Sequence, residues 1–112
     1  MCMATKRIPK KISKKIKEFT ATLDKDKLPI QEVYLFGSYA KGTSHKWSDI
    51  DICVISPRFT DPWDAMQYLW HKRPPINDAY EPPIEPIGFS PKDFYEGGTL
   101  INEIKRHGIK II

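Results

Sequence analysis

Leu35-Phe36-Gly37-Ser38-Tyr39-Ala40-Lys41-Gly42 leads, through the polar run Thr43 to Trp47, into Ser48-Asp49-Ile50-Asp51-Ile52. An apolar strand breaks at Gly-Ser, and after ten further residues a second apolar strand opens with Asp-Ile-Asp. On a strand, Asp49 and Asp51 point to one face with their Cα atoms about 6.5–7 Å apart, while Ile50, Ile52 and Val54 point to the other. Two carboxylates held on one face repel each other unless a cation lies between them. Magnesium is the usual solution, because it takes one or two carboxylates together with substrate phosphates and water. With a third carboxylate, such a face would hold two ions about 3.5–4 Å apart. Gly37 and Ser38 stand where a strand gives way to a short helix, and the free N–H groups of such an end attract anions. Glycine lets the backbone approach a phosphate closely, and the Ser38 hydroxyl adds a donor. Alone, Gly-Ser is usually a turn and Asp-x-Asp a solvated strand edge. Together they describe a grip on a triphosphate, with phosphate contacts on one side and metal ligands on the other. A Walker phosphate loop is excluded, since the Gly-Lys-Ser/Thr ending is missing.

Outward from this stretch, the elements alternate. Upstream, Ile12, Ile16, Phe19 and Leu23 recur at helical spacing from about Lys11 to Leu23. Pro29 follows the end of that helix, and Ile30 to Phe36 reads as the first strand. Ile50 to Ile55 is the second. Asp61-Pro62 opens a helix, with Asp61 as its cap and Pro62 at the first position. Trp63, Met66 and Trp70 form its main apolar stripe and are expected in the core, widened by Ala65, Tyr68 and Leu69. Residues 76–83 are a proline-containing connection. Ile84 to Phe89 is a third strand, placed at a sheet edge because Pro86 has no N–H for a ladder. Ser90-Pro91 starts a helical turn, Thr99 a last helix that Gly108 ends, and Ile109 to Ile112 a short final strand. The expected fold class is α/β (α+β), a mixed sheet of about four strands packed with helices.

The 112 residues bound this to one domain. Residues 1–10 are expected to be a flexible basic N-terminus and 11–112 a single domain. The formal net charge of +4 is concentrated in Lys6, Arg7, Lys10, Lys11, Lys14, Lys15 and Lys17. Such a cluster attracts nucleic acid or an acidic surface, but no aromatic residue interleaves with it before Phe19, so no base-stacking platform is present. Nucleic acid is a possible partner but not the favoured one. Cys2 falls in the terminus and Cys53 in an apolar strand, with neither a zinc spacing nor a disulfide framework. No apolar run approaches a membrane span, and no signal peptide is expected. These features fit a cytoplasmic protein.

Gly-Ser, ten residues and Asp-x-Asp resemble the nucleotidyltransferase superfamily that includes polymerase β-like enzymes. The chain is similar to its smallest branch, the minimal nucleotidyltransferases, over roughly residues 11–112. Leu35 to Gly42 matches the family's strand-turn-helix and Ser48 to Ile52 its metal strand. Ile84-Glu85-Pro86-Ile87-Gly88-Phe89-Ser90-Pro91 resembles its third-carboxylate strand, and Ile104 to Ile109 its ending. The resemblance implies Gly37 and Ser38 at the triphosphate of ATP, Asp49 and Asp51 on magnesium, and a third carboxylate assisting the attacking hydroxyl. Glu85 best occupies that position, although relatives commonly have Asp there; Glu81 is the alternative. The resemblance further implies an antitoxin that transfers AMP from ATP to a tyrosine of a HEPN-domain ribonuclease toxin. So short a chain fits, because the partner would supply the acceptor. Two other readings stay open: neutralisation of a partner by binding alone, and transfer to RNA or a small molecule.

Overall fold

The computed structural model describes residues 8–45, 48–74 and 82–112. Glu81, most of the connection 76–83, Lys46, Trp47 and the first seven residues lie outside the described residues. Helix α1 spans Lys10–Lys25, β1 Glu32–Phe36, α2 Ser38–Lys41, β2 Ile50–Ile55, α3 Pro62–His71, β3 Ile84–Phe89, α4 Pro91–Glu96, α5 Thr99–His107 and β4 Ile109–Lys110. The four strands form one mixed sheet in the order β3-β2-β1-β4. β1 is antiparallel to β2 and β4, whereas β2 and β3 run parallel. A parallel pair needs a crossover, which α3 supplies.

Local chemistry explains most of these elements. Ile12, Ile16, Phe19 and Leu23 are the buried residues of α1, one stripe of a helix that is otherwise lysine-rich. The helix ends where Lys27 takes a left-handed conformation and Leu28 N–H returns to Leu23 O at 3.1 Å. Ile8, just ahead of α1, is already buried against the main core. Asp61 caps α3 by accepting from Asp64 N–H at 2.8 Å, with Pro62 following it. Ser90 does the same for α4, accepting from Asp93 N–H at 3.1 Å ahead of Pro91.

Helices cover the sheet on both faces. Val33, Leu35, Ile50, Ile52, Val54 and Ile84 pack with the apolar stripe of α1 and with Ala65 and Leu69 of α3. Cys53, Ile55 and Phe89 pack on the opposite face with Phe94, Ile101 and Ile104 of α4 and α5. Along β2, the face that carries Asp51 is thus acidic only at its head; from Cys53 onward it is apolar and covered. Burial pushes the Cys53 thiol up to about 12, so it stays protonated and packs as a small apolar group.

The expected core stripe of α3 is corrected by the structure. Ala65 and Leu69 face inward, whereas Trp63 is 63% and Trp70 40% exposed. The reason lies across the interface. A Cβ on Gly88 would stand 2.6 Å from Phe59 Cε2, 2.9 Å from Ala65 Cβ and 3.0 Å from Leu69 Cδ1. Gly88 leaves a shallow notch that a small residue fills and an indole cannot, so the helix turns its small side toward the strand.

Pro86 sits on the edge strand, as the missing N–H requires. Pro83 O accepts from Ile50 N–H at 2.9 Å and Phe89 O from Ser56 N–H at 3.1 Å, so the odd-numbered residues of β3 face β2. Pro86 therefore has its nitrogen on the outer side, where no ladder bond is lost.

Candidate active site

Three elements end at one rim of the sheet. β1 finishes at Phe36, paired with Asp51. Gly37 then takes φ 73° and ψ −151° and turns the chain into α2, a conformation open essentially to glycine alone. Ala40 and Lys41 donate to Gly37 O, each at 3.1 Å, which leaves the N–H groups of Ser38 and Tyr39 at the start of the turn without an intrahelical acceptor. The next requirement is space: a Cβ on Gly37 would fall 2.1 Å from Asp51 Oδ2. The phosphate-type turn and the carboxylate are thus in direct apposition.

The loop returning to β2 is closed by Ser48. Its Oγ accepts from His45 N–H at 2.8 Å, and its own N–H donates to His45 O at 3.0 Å. Ser48 is buried, and this reciprocal clamp fixes the residue that precedes Asp49. Sequence reasoning passed over Ser48 as part of a motif; a small hydroxyl residue immediately before the acidic pair is the signal that marks it.

β2 and β3 pair in parallel with Asp51 opposite Glu85, so the third candidate carboxylate stands beside the first two on the same face. Their electrostatics agree. Asp51 is pushed up to about 6 by burial and then by the charges of Glu85 and Asp49. Glu85 is raised by burial and by Asp49, partly offset by the nearby Arg73 guanidinium. Tyr39, packed against the main core, is raised by burial and by Asp49. The structure thus brings Gly37, Ser38, Asp49, Asp51 and Glu85 to one rim. Lys41, a possible phosphate contact from the loop, instead pairs with Glu103 of α5 at 2.5 Å.

The donor set suits a hard divalent cation: three carboxylates stand at one rim, and Asp51 and Glu85 are each pushed up by burial and by the acidic charges beside them. As the side chains stand, no three Asp, Glu, His or Cys groups among the described residues close around a single point. Among the described residues, too, no helix is long and apolar enough to cross a membrane.

The nucleotidyltransferase domain family matches residues 13–109, almost the whole described body. The chain belongs to that family. Within it, the chain is 45% identical over 49 residues to the protein adenylyltransferase MntA of Shewanella oneidensis, covering 40% of this chain. The match spans 35% of that relative's length. A crystal structure of a Sulfolobus solfataricus protein described as a nucleotidyltransferase superposes with a TM-score of 0.51, over 90% of this chain and 75% of the other. At 20% identity that likeness concerns the fold. The nucleotidyltransferase domain described here accordingly has the mixed α/β architecture expected from its sequence, with the Gly-Ser turn and the Asp-x-Asp strand at adjacent strand ends.

Proposed function

We propose that this nucleotidyltransferase domain transfers AMP from ATP, with magnesium, to a hydroxyl of a partner protein. The partner is a HEPN-domain ribonuclease toxin, the acceptor a tyrosine, and the domain its cytoplasmic antitoxin. The observation that carries the reading is the register of Asp51 opposite Glu85, with Gly37 against Asp51 on the other side. It sets a phosphate-sized turn, two metal-type carboxylates and a third carboxylate side by side in a row. The name of the Shewanella relative, a protein adenylyltransferase, supports a protein acceptor.

In this reading the Gly37–Ser38 turn binds the triphosphate through backbone N–H groups and the Ser38 hydroxyl. Asp49 and Asp51, with Glu85, hold magnesium, which when bound supplies positive charge against the phosphate oxygens. Glu85 accepts the proton of the incoming hydroxyl. The hydroxyl oxygen bonds to the α-phosphorus, the bond from that phosphorus to the bridging oxygen breaks, and pyrophosphate departs. No covalent enzyme intermediate is required, so rate comes from positioning and charge.

Incubation of the chain with magnesium, α-labelled ATP and the HEPN protein tests this. Label is expected on the partner, lost in Asp49→Asn and reduced at least ~100-fold in Glu85→Gln. Neutralisation of the toxin that persists in Asp49→Asn and Asp51→Asn, without label, would replace transfer by binding alone. Label on RNA or a small molecule in place of the partner would replace the acceptor.

A further inference from the structure

Along the rim, the site groups follow strand order: Glu85 at the head of β3, Asp49 and Asp51 at the head of β2, Gly37 and Ser38 after β1. β4 is the next strand beyond β1, about 4.8 Å further along the sheet. Ile109 of β4 pairs with Leu35, two residues before Gly37. The chain that enters β4 therefore passes beside the Gly-Ser turn, and that chain is the end of α5. The exit from the helix is tight. Gly108 N–H donates to Ile104 O at 2.7 Å, and a Cβ on Gly108 would stand 2.4 Å from the same oxygen. Glycine thus lets the last turn of α5 fold directly onto the strand, which brings Arg106 and His107 opposite the end of α2.

Between these elements lies a cavity of about 520 Å³, lined by Ala40, Lys41, Arg106, His107 and Gly108. Ala40 and Lys41 belong to the short helix that the Gly-Ser turn opens. The acidic group at hand is Glu103, one turn back on α5, which pairs with Lys41 at 2.5 Å. Its carboxyl is held below the usual carboxylate range by Lys41 first, and further by the charges of His107 and Arg106. Three basic side chains thus gather on one carboxylate, and Lys41 and Arg106 alone outnumber it. The cavity is therefore suited to an anion.

The position of the cavity says which anion. Phosphoryl-type displacement runs in line, with the attacking and leaving oxygens on opposite sides of the phosphorus. In the transfer reading above, on which this inference rests, Glu85 takes the proton of the attacking hydroxyl on the β3 side. The leaving pyrophosphate then lies on the far side of the carboxylates, at the Gly-Ser turn and beyond it toward β4, where the cavity stands. We infer that Arg106 and His107, together with Lys41, form a subsite for the two terminal phosphates of the nucleotide, and that Glu103 competes with those phosphates for Lys41. Arginine's planar fork matches a phosphate edge. The subsite would read the length of the phosphate chain and hold the leaving group opposite the acceptor.

Displacement of a fluorescent ATP analogue from the full chain in magnesium tests this, with ATP, AMP and inorganic pyrophosphate as competitors and label transfer to the HEPN partner measured beside it. Arg106→Gln is expected to weaken ATP and pyrophosphate about tenfold or more, and His107→Gln to weaken both by less, with AMP as in the wild type. Arg106→Lys should recover only part of the loss, since it restores charge without the fork. Glu103→Gln should bind pyrophosphate severalfold more tightly, a gain that a damaged fold would not produce. ATP affinity unchanged in both Arg106→Gln and His107→Gln overturns the subsite and leaves the transfer reading standing. Equal weakening of ATP and AMP in Arg106→Gln also overturns it, by moving that residue away from the terminal phosphates. Pyrophosphate binding no tighter in Glu103→Gln overturns the competition for Lys41. The expected displacement pattern in a wild-type chain that labels no acceptor supports the subsite while refuting the transfer reading. A wild-type chain that binds neither the analogue nor pyrophosphate refutes both.

Discussion

Asp51 fills the space in front of Gly37: a side chain there would begin 2.1 Å from Asp51 Oδ2. The turn between β1 and α2 and the acidic strand are therefore one construction. Gly37→Ala would suffer twice, from the carboxylate and from its φ of 73°. Backbone strain alone should cost about 1–3 kcal/mol. The displaced Asp51 should remove transfer activity in the fraction that still folds. Denaturant melts beside nucleotide-transfer rates would check this; a variant of wild-type stability and rate would show that the apposition is dispensable.

Asp51 itself is held against its own preference. Its folded carboxyl is raised to about 6 by burial and by Glu85 and Asp49. The folded state therefore binds the proton more tightly than the unfolded chain does. Its contribution to stability is full below about pH 4 and is lost as the pH rises through about 6. In EDTA at pH 7, Asp51→Asn should melt a few degrees above wild type, and with magnesium restored it should transfer no nucleotide. The gap between the two melting temperatures should shrink toward pH 4. Equal melting temperatures at pH 7 would mean that the repulsion is relieved within the chain.

Ser48 touches no substrate in this scheme, yet it closes the loop before Asp49 through its bond from His45 N–H at 2.8 Å. Ser48→Ala should destabilise the chain by about 1 kcal/mol. It should also slow transfer more than that loss of stability explains, because the acidic pair is then less well fixed. Rates measured well below the melting temperature separate the two effects. Ser48→Thr, which keeps the hydroxyl, should fall between alanine and wild type.

Gly88→Ala tests the packing that orients α3. The new methyl would press on Phe59, Ala65 and Leu69 at 2.6–3.0 Å, and overfilling a close-packed interface costs about 1–3 kcal/mol. The double variant Gly88→Ala, Ala65→Gly should recover part of that loss, since it returns the volume. A single variant as stable as wild type would mean that the notch is not what sets the helix rotation.

Much of this molecule is readable along the chain. Ile12, Ile16, Phe19 and Leu23 share a helix face at 3.6-residue spacing, and they are the residues that α1 buries. Asp61-Pro62 and Ser90-Pro91 start helices because cap and first turn are short-range chemistry. Pro86 marks an edge because a missing donor is a property of the residue itself. The rotation of α3 was not readable: apolar residues surround most of that helix, so its own pattern does not choose a face. The choice falls to Gly88, distant in sequence, whose notch admits Ala65 and leaves Trp63 and Trp70 on the rim. Lys41 likewise finds Glu103 across the fold rather than within its own loop.

The candidate site divides in the same way. Gly37, Ser38, Asp49 and Asp51 lie within fifteen residues, and strand alternation by itself puts both aspartates on one face. Their local spacing determined the family and the chemistry to look for. The position of Glu85 beside Asp51 and the contact of Asp51 with Gly37 were decided by the tertiary structure alone. The reason is physical: strand register and helix rotation are chosen by which distant surfaces fit together, and no local pattern carries that information.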